Sequence, residues 1–338
     1  MSRSLRADTP RASRRLVADW PKLIERIGLI IAWAGVIGAF TYLRPGLFFT
    51  TQNFATIFSS QAVLVVLALA LLLPLTAGDY DLSAAAVLTL SSTLLAVLNV
   101  QRHWPLWPAI AVVLLAGAAV GVVNGALTVL LKIDSFIVTL GVGTTVGGIV
   151  LWITNSTTIS GISPELSNLV IEPKLFKIGL GFFYALALCV FLWYVFEFTR
   201  VGRHLLFVGK GRRVSRLSGI RVGALRWGAM TGCSLISAFA GVLYAGTSGS
   251  ADPTSGLSFL LPAFAAAFLG STSIVPGRFN PWGTFIAVYF LVTGITGLAL
   301  LGVQVFVQDL FYGSALVIAV AIAQIAKGRF GDEGDEER

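Results

Sequence analysis

Charge is scarce in this sequence, and acid scarcer than base. Of 338 residues, 24 are lysine or arginine, 16 are aspartate or glutamate and two are histidine. The charged fraction of 12% is about half that of a soluble domain, which excludes an ordinary water-soluble globule. Cysteine is limited to Cys189 and Cys233, both inside apolar runs. They read as small core residues and leave no disulfide framework or metal site. His103 and His204 are too few and too far apart to form a metal constellation. No Gly-x-x-x-x-Gly-Lys-Ser/Thr occurs, and Gly209-Lys210-Gly211 lacks both the spacing and the following hydroxyl, so this chain is expected to hold no ATP itself. No Ser/His/Asp order and no His-Glu-x-x-His helix suggests a hydrolase. The expectation is therefore no metal, no cofactor and no catalysis by this chain.

Apolar residues make up 56% of the sequence, and they come in runs long enough to cross a hydrocarbon core. The runs fall at 27–43, 54–76, 82–100, 107–131, 135–154, 178–198, 227–247, 260–275, 281–301 and 306–326. The expected fold is an all-α polytopic membrane protein with about ten transmembrane helices. An even count places both termini on one side, the cytoplasmic one. Residues 1–26 read as a disordered basic tail, 27–326 as the transmembrane body and 327–338 as a charged tail. The run 27–43 lacks a small-x-small cleavage site, so it reads as an uncleaved anchor.

The polar interruption from Thr199 to Arg226 carries eight basic residues and no acidic one: Arg200, Arg203, Lys210, Arg212, Arg213, Arg216, Arg221 and Arg226. Lysine and arginine near helix ends resist translocation, so this loop stays in the cytoplasm and orients the chain. With the N-terminus inside, all basic residues except Arg44, Arg102, Lys174 and Lys177 fall on the cytoplasmic side. The net charge of +8 then reflects cytoplasmic loops, and no nucleic-acid partner is expected. Phe207–Leu217 is expected to form one short helix closed by Gly219, a glycine suited to a left-handed C-terminal position. Two readings stand for it: a solvated orientation signal, or a helix that docks in a partner's groove. The largest outside loop, 155–177, is either a plain connector or a partner surface.

Within the membrane, Gly78-Asp79-Tyr80-Asp81-Leu82-Ser83 places two carboxylates between apolar runs, where an unpaired charge costs several kcal/mol. Either Asp81 or Ser83 caps the next helix, or Asp79, Asp81 and Ser83 mark a broken helix facing a transport path. Gly117, Gly121 and Gly125 recur every four residues beside Asn124, a spacing that lets two helices approach closely. Asn124 then bonds across the contact or lines a cavity. Asp134 is placed to cap a helix starting at Ser135.

Four motifs in order carry a family resemblance. Thr199-Arg200-Val201-Gly202-Arg203-His204-Leu205, with Gly209 and Arg216-Leu217-Ser218-Gly219-Ile220, is similar to the cytoplasmic loop of ABC-importer permeases of the monosaccharide group (ribose, xylose, arabinose). Gly78 with Asp81-Leu82-Ser83 resembles that group's Gly-x-Asp-Leu-Ser run. Gly121–Gly125 with Ile133–Gly141, which includes Thr139, is similar too, as are Leu269–Ser273 and Pro276-Gly277-Arg278. The family has Asn after the second loop glycine, where Gly211-Arg212-Arg213 stands here, and usually Pro at Asp134. The resemblance implies a sugar-translocating permease of the bacterial inner membrane. Its partners would be an ATPase subunit that hydrolyses ATP, a periplasmic or lipid-anchored sugar-binding protein, a second permease subunit and membrane lipid. It implies that Gly202, Arg203, Gly209, Arg216, Leu217, Ser218, Gly219 and Ile220 couple to the ATPase. Asp79, Asp81, Ser83, Asn124 and Thr139 stand beside them as path or helix-break candidates. Arg212 and Arg213, which depart from the family, are expected to matter little. The rivals are a branched-chain amino acid permease and an ion-coupled secondary transporter.

Overall fold

A computed structural model describes residues 20–332 apart from 176 and 305; the expected tails at 1–19 and 333–338 lie outside the described residues. The chain is all-α. α1 (Trp20–Leu43) begins inside what the sequence suggests is a tail. A bent pair follows: α2 (Thr51–Ser60) and α3 (Ala62–Thr76) meet at 44°. The bend falls at Gln61, and Pro74 sits undisturbing in the last turn of α3. Next come α4 (Ala84–Ala96), ending in a π turn at Val97–Gln101, then α5 (Leu106–Val129) and α6 (Ser135–Thr154). The remainder comprises α7 (Pro164–Ile171), α8 (Leu180–Phe198), α9 (Arg200–Lys210), α10 (Arg212–Leu217), α11 (Val222–Ser248), α12 (Leu257–Gly270), α13 (Pro281–Leu300) and α14 (Phe306–Asp332).

Among the described residues, seven helices are long and apolar enough to cross a membrane, or eight with the bent pair taken as one span. The expected count of ten is therefore not reached on that criterion, because α12 and the apolar part of α14 are shorter. The protein is nonetheless an all-α polytopic membrane protein.

α3 is apolar on every side and is the buried centre of the bundle, as a helix without a polar face must be. It packs on α11, α12, α8 and α13. The most extensive helix contact is α5 on α11, and the glycine row makes it possible. A Cβ at Gly117 would overlap Ala238, one at Gly121 would press on Thr231 and Ser234, and one at Gly125 would overlap the Trp227 ring. The exposed apolar side chains, such as Ile137, Leu140 and Trp152 on α6, face outward, where lipid replaces water.

Long-range bonds define two ends. At one end, the Ile274 amide donates to the Arg26 carbonyl and Arg278 pairs with Glu197. At the other, the Ser163 amide donates to Asn99 Oδ1 and the Gly179 amide to Ser59 Oγ. Two short antiparallel ribbons lie at this second end. β1 (Ile159–Ser160) pairs with β4 (Ser250–Ala251), and β2 (Pro173–Leu175) with β3 (Ile178–Gly179). The polar loop after α6 is thus tied to the end of α11.

Candidate functional site

The basic loop folds as two helices, not the single helix expected over Phe207–Leu217. Thr199 is the N-cap of α9: its Oγ1 accepts from the Gly202 amide at 3.2 Å and donates to the Val195 carbonyl at 2.6 Å. Helix formation therefore starts seven residues earlier than the apolar pattern implies. Gly211 then adopts an extended backbone and separates α9 from α10. Gly219 does close α10 with φ +80°, and the Ile220 amide reaches back to the Ser215 carbonyl at 3.1 Å.

Both glycines inside α9 mark close approach. A Cβ at Gly202 would overlap the Val195 carbonyl oxygen, and one at Gly209 would overlap the Thr76 carbonyl oxygen at the end of α3. Leu205, Val208 and Ser215 are buried beneath the pair. Phe207 (61% exposed), Val214 (68%) and Leu217 (82%) point away from the bundle. Arg203, Arg216 and Ser218 are exposed around them, and Ile220 is half-buried. Between α9 and α10 lies a notch of about 450 Å³ lined by His204, Phe207, Lys210, Val214, Ser218 and Ile220.

The pair rests on the break between α3 and α4. After α3, Gly78 turns with φ +77° and residues 79–81 run without regular structure. Asp79 is 3% exposed and receives three charge-assisted bonds. Arg226 on α11 grips both carboxylate oxygens, Nε to Oδ2 and Nη2 to Oδ1, each at 2.7 Å. Arg212, the first residue of α10, donates from Nη2 to Asp79 Oδ1 at 2.8 Å and to the Gly78 carbonyl at 2.7 Å. This corrects the expectation that Arg212 is idle. It also gives Asp79 a partner for its charge, as a buried carboxylate requires. Nothing in the local sequence signals this clamp. Arg226 was only one of eight loop cations, and both arginines lie more than 130 residues from Asp79.

The following residues are bonded across the bundle. The Tyr80 amide donates to Ser135 Oγ at 3.2 Å, and the Leu82 amide to Thr139 Oγ1 at 3.0 Å. Thr139 Oγ1 in turn donates to the Ser135 carbonyl at 2.8 Å. Asp81 is fully buried; its Oδ1 accepts from the Ser83 amide at 3.0 Å and from Ser83 Oγ at 2.6 Å. Ser83 Oγ accepts from Asn124 Nδ2 at 2.7 Å, so Asn124 bonds across the α4–α5 contact. Asp81, Ser83 and Asn124 thus form one buried network, Thr139 ties the backbone of Tyr80 and Leu82 to α6, and Asp79 belongs to a separate cluster facing the basic end. Asp134 accepts from the Phe136 amide at 2.9 Å and caps α6. Asp81→Asn keeps an acceptor for the Ser83 amide, so a cost of about 1 kcal/mol is expected, with uptake near wild type. Uptake collapsing at an unchanged protein level would instead place this carboxylate on a solute path.

A polytopic helical bundle with short basic helices braced against a broken intramembrane segment has the build of a transport permease. The sequence matches the family described as branched-chain amino acid transport system / permease component over residues 53–320, and the chain belongs to that family. Its similar relatives include the D-allose transport system permease protein of Escherichia coli (strain K12), 27% identical over 93% of this chain and 96% of the relative. The ribose import permease protein of the same strain is 28% identical over 87% of this chain and 92% of the relative. The fructose import permease protein of Rhizobium meliloti is 30% identical over 85% of this chain and 81% of the relative. No solved structure matches the chain.

Proposed function

We propose that the chain is the permease subunit of an ATP-driven importer for a monosaccharide or related small polar solute in the bacterial inner membrane. The observation that carries this reading is the exposed face of α9 and α10. Phe207, Val214 and Leu217 stand out among arginines beside a notch, on α9, which packs closely on α8 and α3, and on α10, which packs on α9 and α11. Large apolar side chains on a short basic helix fit a protein groove rather than free water. Of the expected coupling residues, Arg203, Arg216, Leu217, Ser218 and Gly219 are exposed on or beside this face and Ile220 is half-buried at its edge, while Gly202 and Gly209 seat α9 on the bundle; an ATPase subunit is the partner proposed to take the face. Relatives of nearly full length named for allose, ribose and fructose favour a sugar over a branched-chain amino acid.

In this reading the chain crosses the membrane ten times, with the bent α2–α3 pair, α12 and α14 each counted as a crossing. The end carrying Asp79, Glu197, Arg212 and Arg278 faces the cytoplasm. The opposite end, with α7 and the two ribbons, meets a solute-binding protein. A second permease subunit completes the pore. ATP binding closes the partner ATPase, α9 and α10 shift as a rigid unit, and the pore alternates access.

The test is the reconstituted complex with a co-encoded ATPase and binding protein. ATP hydrolysis stimulated by loaded binding protein, together with sugar uptake, is the expected result; uptake that follows an ion gradient without ATP would overturn the proposal. Orientation is tested separately by thiol labelling. Glu165→Cys is expected to react with an impermeant outside reagent and Ser218→Cys to stay silent, since both positions are exposed. The opposite pattern would invert the orientation and remove α9 and α10 from the ATPase side.

A further inference from the structure

We propose that the Arg212–Asp79 contact is the link that carries movement of α9 and α10 into the broken segment 79–83, with Asp79 acting as a positioning residue. The inference rests on the importer reading above and deepens it.

The two arginines on Asp79 are unlike each other. Arg226 belongs to the first turns of the long helix α11; it is 15% exposed and holds both carboxylate oxygens in a fork. It anchors Asp79 to the transmembrane body. Arg212 heads the six-residue helix α10 and is 41% exposed, and a single nitrogen serves both the Gly78 carbonyl and Asp79 Oδ1. It is the arm that reaches from the short basic helices. A rigid α10 that shifts must either pull this nitrogen's two acceptors along or release them.

What lies behind Asp79 gives the contact consequences. Residues 79–81 are not helical, so they can change backbone torsions without breaking a helical ladder. The amide and side-chain bonds of residues 80–83 run to two other helices: Tyr80 and Leu82 to α6, and Asp81 through Ser83 to Asn124 on α5. Displacing Gly78 and Asp79 therefore acts on α4, α5 and α6 together. Gly209 against Thr76 is the other contact between the short helices and this region, but it touches α3 ahead of the break. Only the arginine reaches the non-helical segment itself among the described contacts of α10.

The experiment uses the full complex with its ATPase and binding protein. In Arg212→Gln the solute moved per ATP hydrolysed is expected to fall by about fivefold or more, the size of a typical coupling term, with hydrolysis and membrane level retained. Arg213→Gln removes the neighbouring exposed arginine and is expected to hold the wild-type ratio. A second readout follows the segment directly. Tyr80 is 43% exposed in a cleft of about 420 Å³, and the native Cys189 and Cys233 are buried. Thiol labelling of Tyr80→Cys should change rate when the ATPase is trapped with ATP and vanadate, and that change should vanish when Arg212→Gln is added. A wild-type ratio in Arg212→Gln, or a labelling change that persists in it, overturns the link while leaving the importer reading intact. Loss of the Arg212→Gln protein from the membrane also counts against it, because the contact would then be a static brace. A wild-type complex that binding protein does not stimulate sinks the importer reading and the link together.

Discussion

Replacing Arg226 by alanine should remove most of the protein from the membrane or leave it unstable in detergent. Asp79 is 3% exposed and Arg226 supplies the only bond to its Oδ2 among the described residues. Without it, the carboxylate keeps one bond from the half-exposed Arg212. Removing one partner of a buried pair costs about 3–5 kcal/mol, a large share of the 5–15 kcal/mol that holds a typical domain folded. Asp79→Asn combined with Arg226→Gln should lose less than Arg226→Ala alone, because no uncompensated charge remains. Thermal stability of the purified protein separates the cases. An Arg226→Ala protein as stable as wild type would mean that water already solvates Asp79 and the clamp contributes nothing.

A single added methyl at Gly209 is expected to abolish transport. In an exposed helix, glycine to alanine stabilises by about 1 kcal/mol, so helix propensity predicts a gain. Here a Cβ would overlap the Thr76 carbonyl oxygen, and backbone cannot rotate away as a flexible side chain can. α9 must lift from the end of α3, which shifts the whole exposed face of Phe207, Val214 and Leu217. Gly211→Ala is the control, since a Cβ there meets only Val214 at ordinary contact distance. Uptake and binding-protein-stimulated ATP hydrolysis should be lost in Gly209→Ala at normal protein level and kept in Gly211→Ala. Equal activity in both would show that α9 does not need its seat on α3.

These two expectations rest on features of very different legibility. The glycines of α9 stand in a recognisable motif, but the apolar pattern puts Gly202 ahead of the expected helix and Gly209 and Gly211 early within it. Only the packing shows that Gly202 lies inside the helix, that Gly202 and Gly209 are contact points, and that Gly211 is the break. Asp79 and Asp81 look alike in sequence, two carboxylates two residues apart. The fold sends Asp79 toward the basic end and two arginines, and Asp81 into a closed network with Ser83 and Asn124. Period and composition cannot separate them, because the partners of each come from other helices.

What the sequence by itself determined is whatever obeys a local rule. Apolar runs of a set length must leave water, so the membrane bundle follows from transfer free energy alone. Clustered lysine and arginine resist crossing, so the loop 199–226 marks one end. Caps act within a few residues, and Asp134 and Gly219 sit where such rules place them. The tertiary structure decided everything that depends on which surfaces meet. It set the 44° bend at Gln61, the seating of Gly117, Gly121 and Gly125 on α11, and the choice of Arg212 and Arg226 as partners of one carboxylate. A buried charge takes whichever opposite charge the packed helices bring within bonding distance, and that distance is set by the whole bundle at once rather than by any stretch of chain.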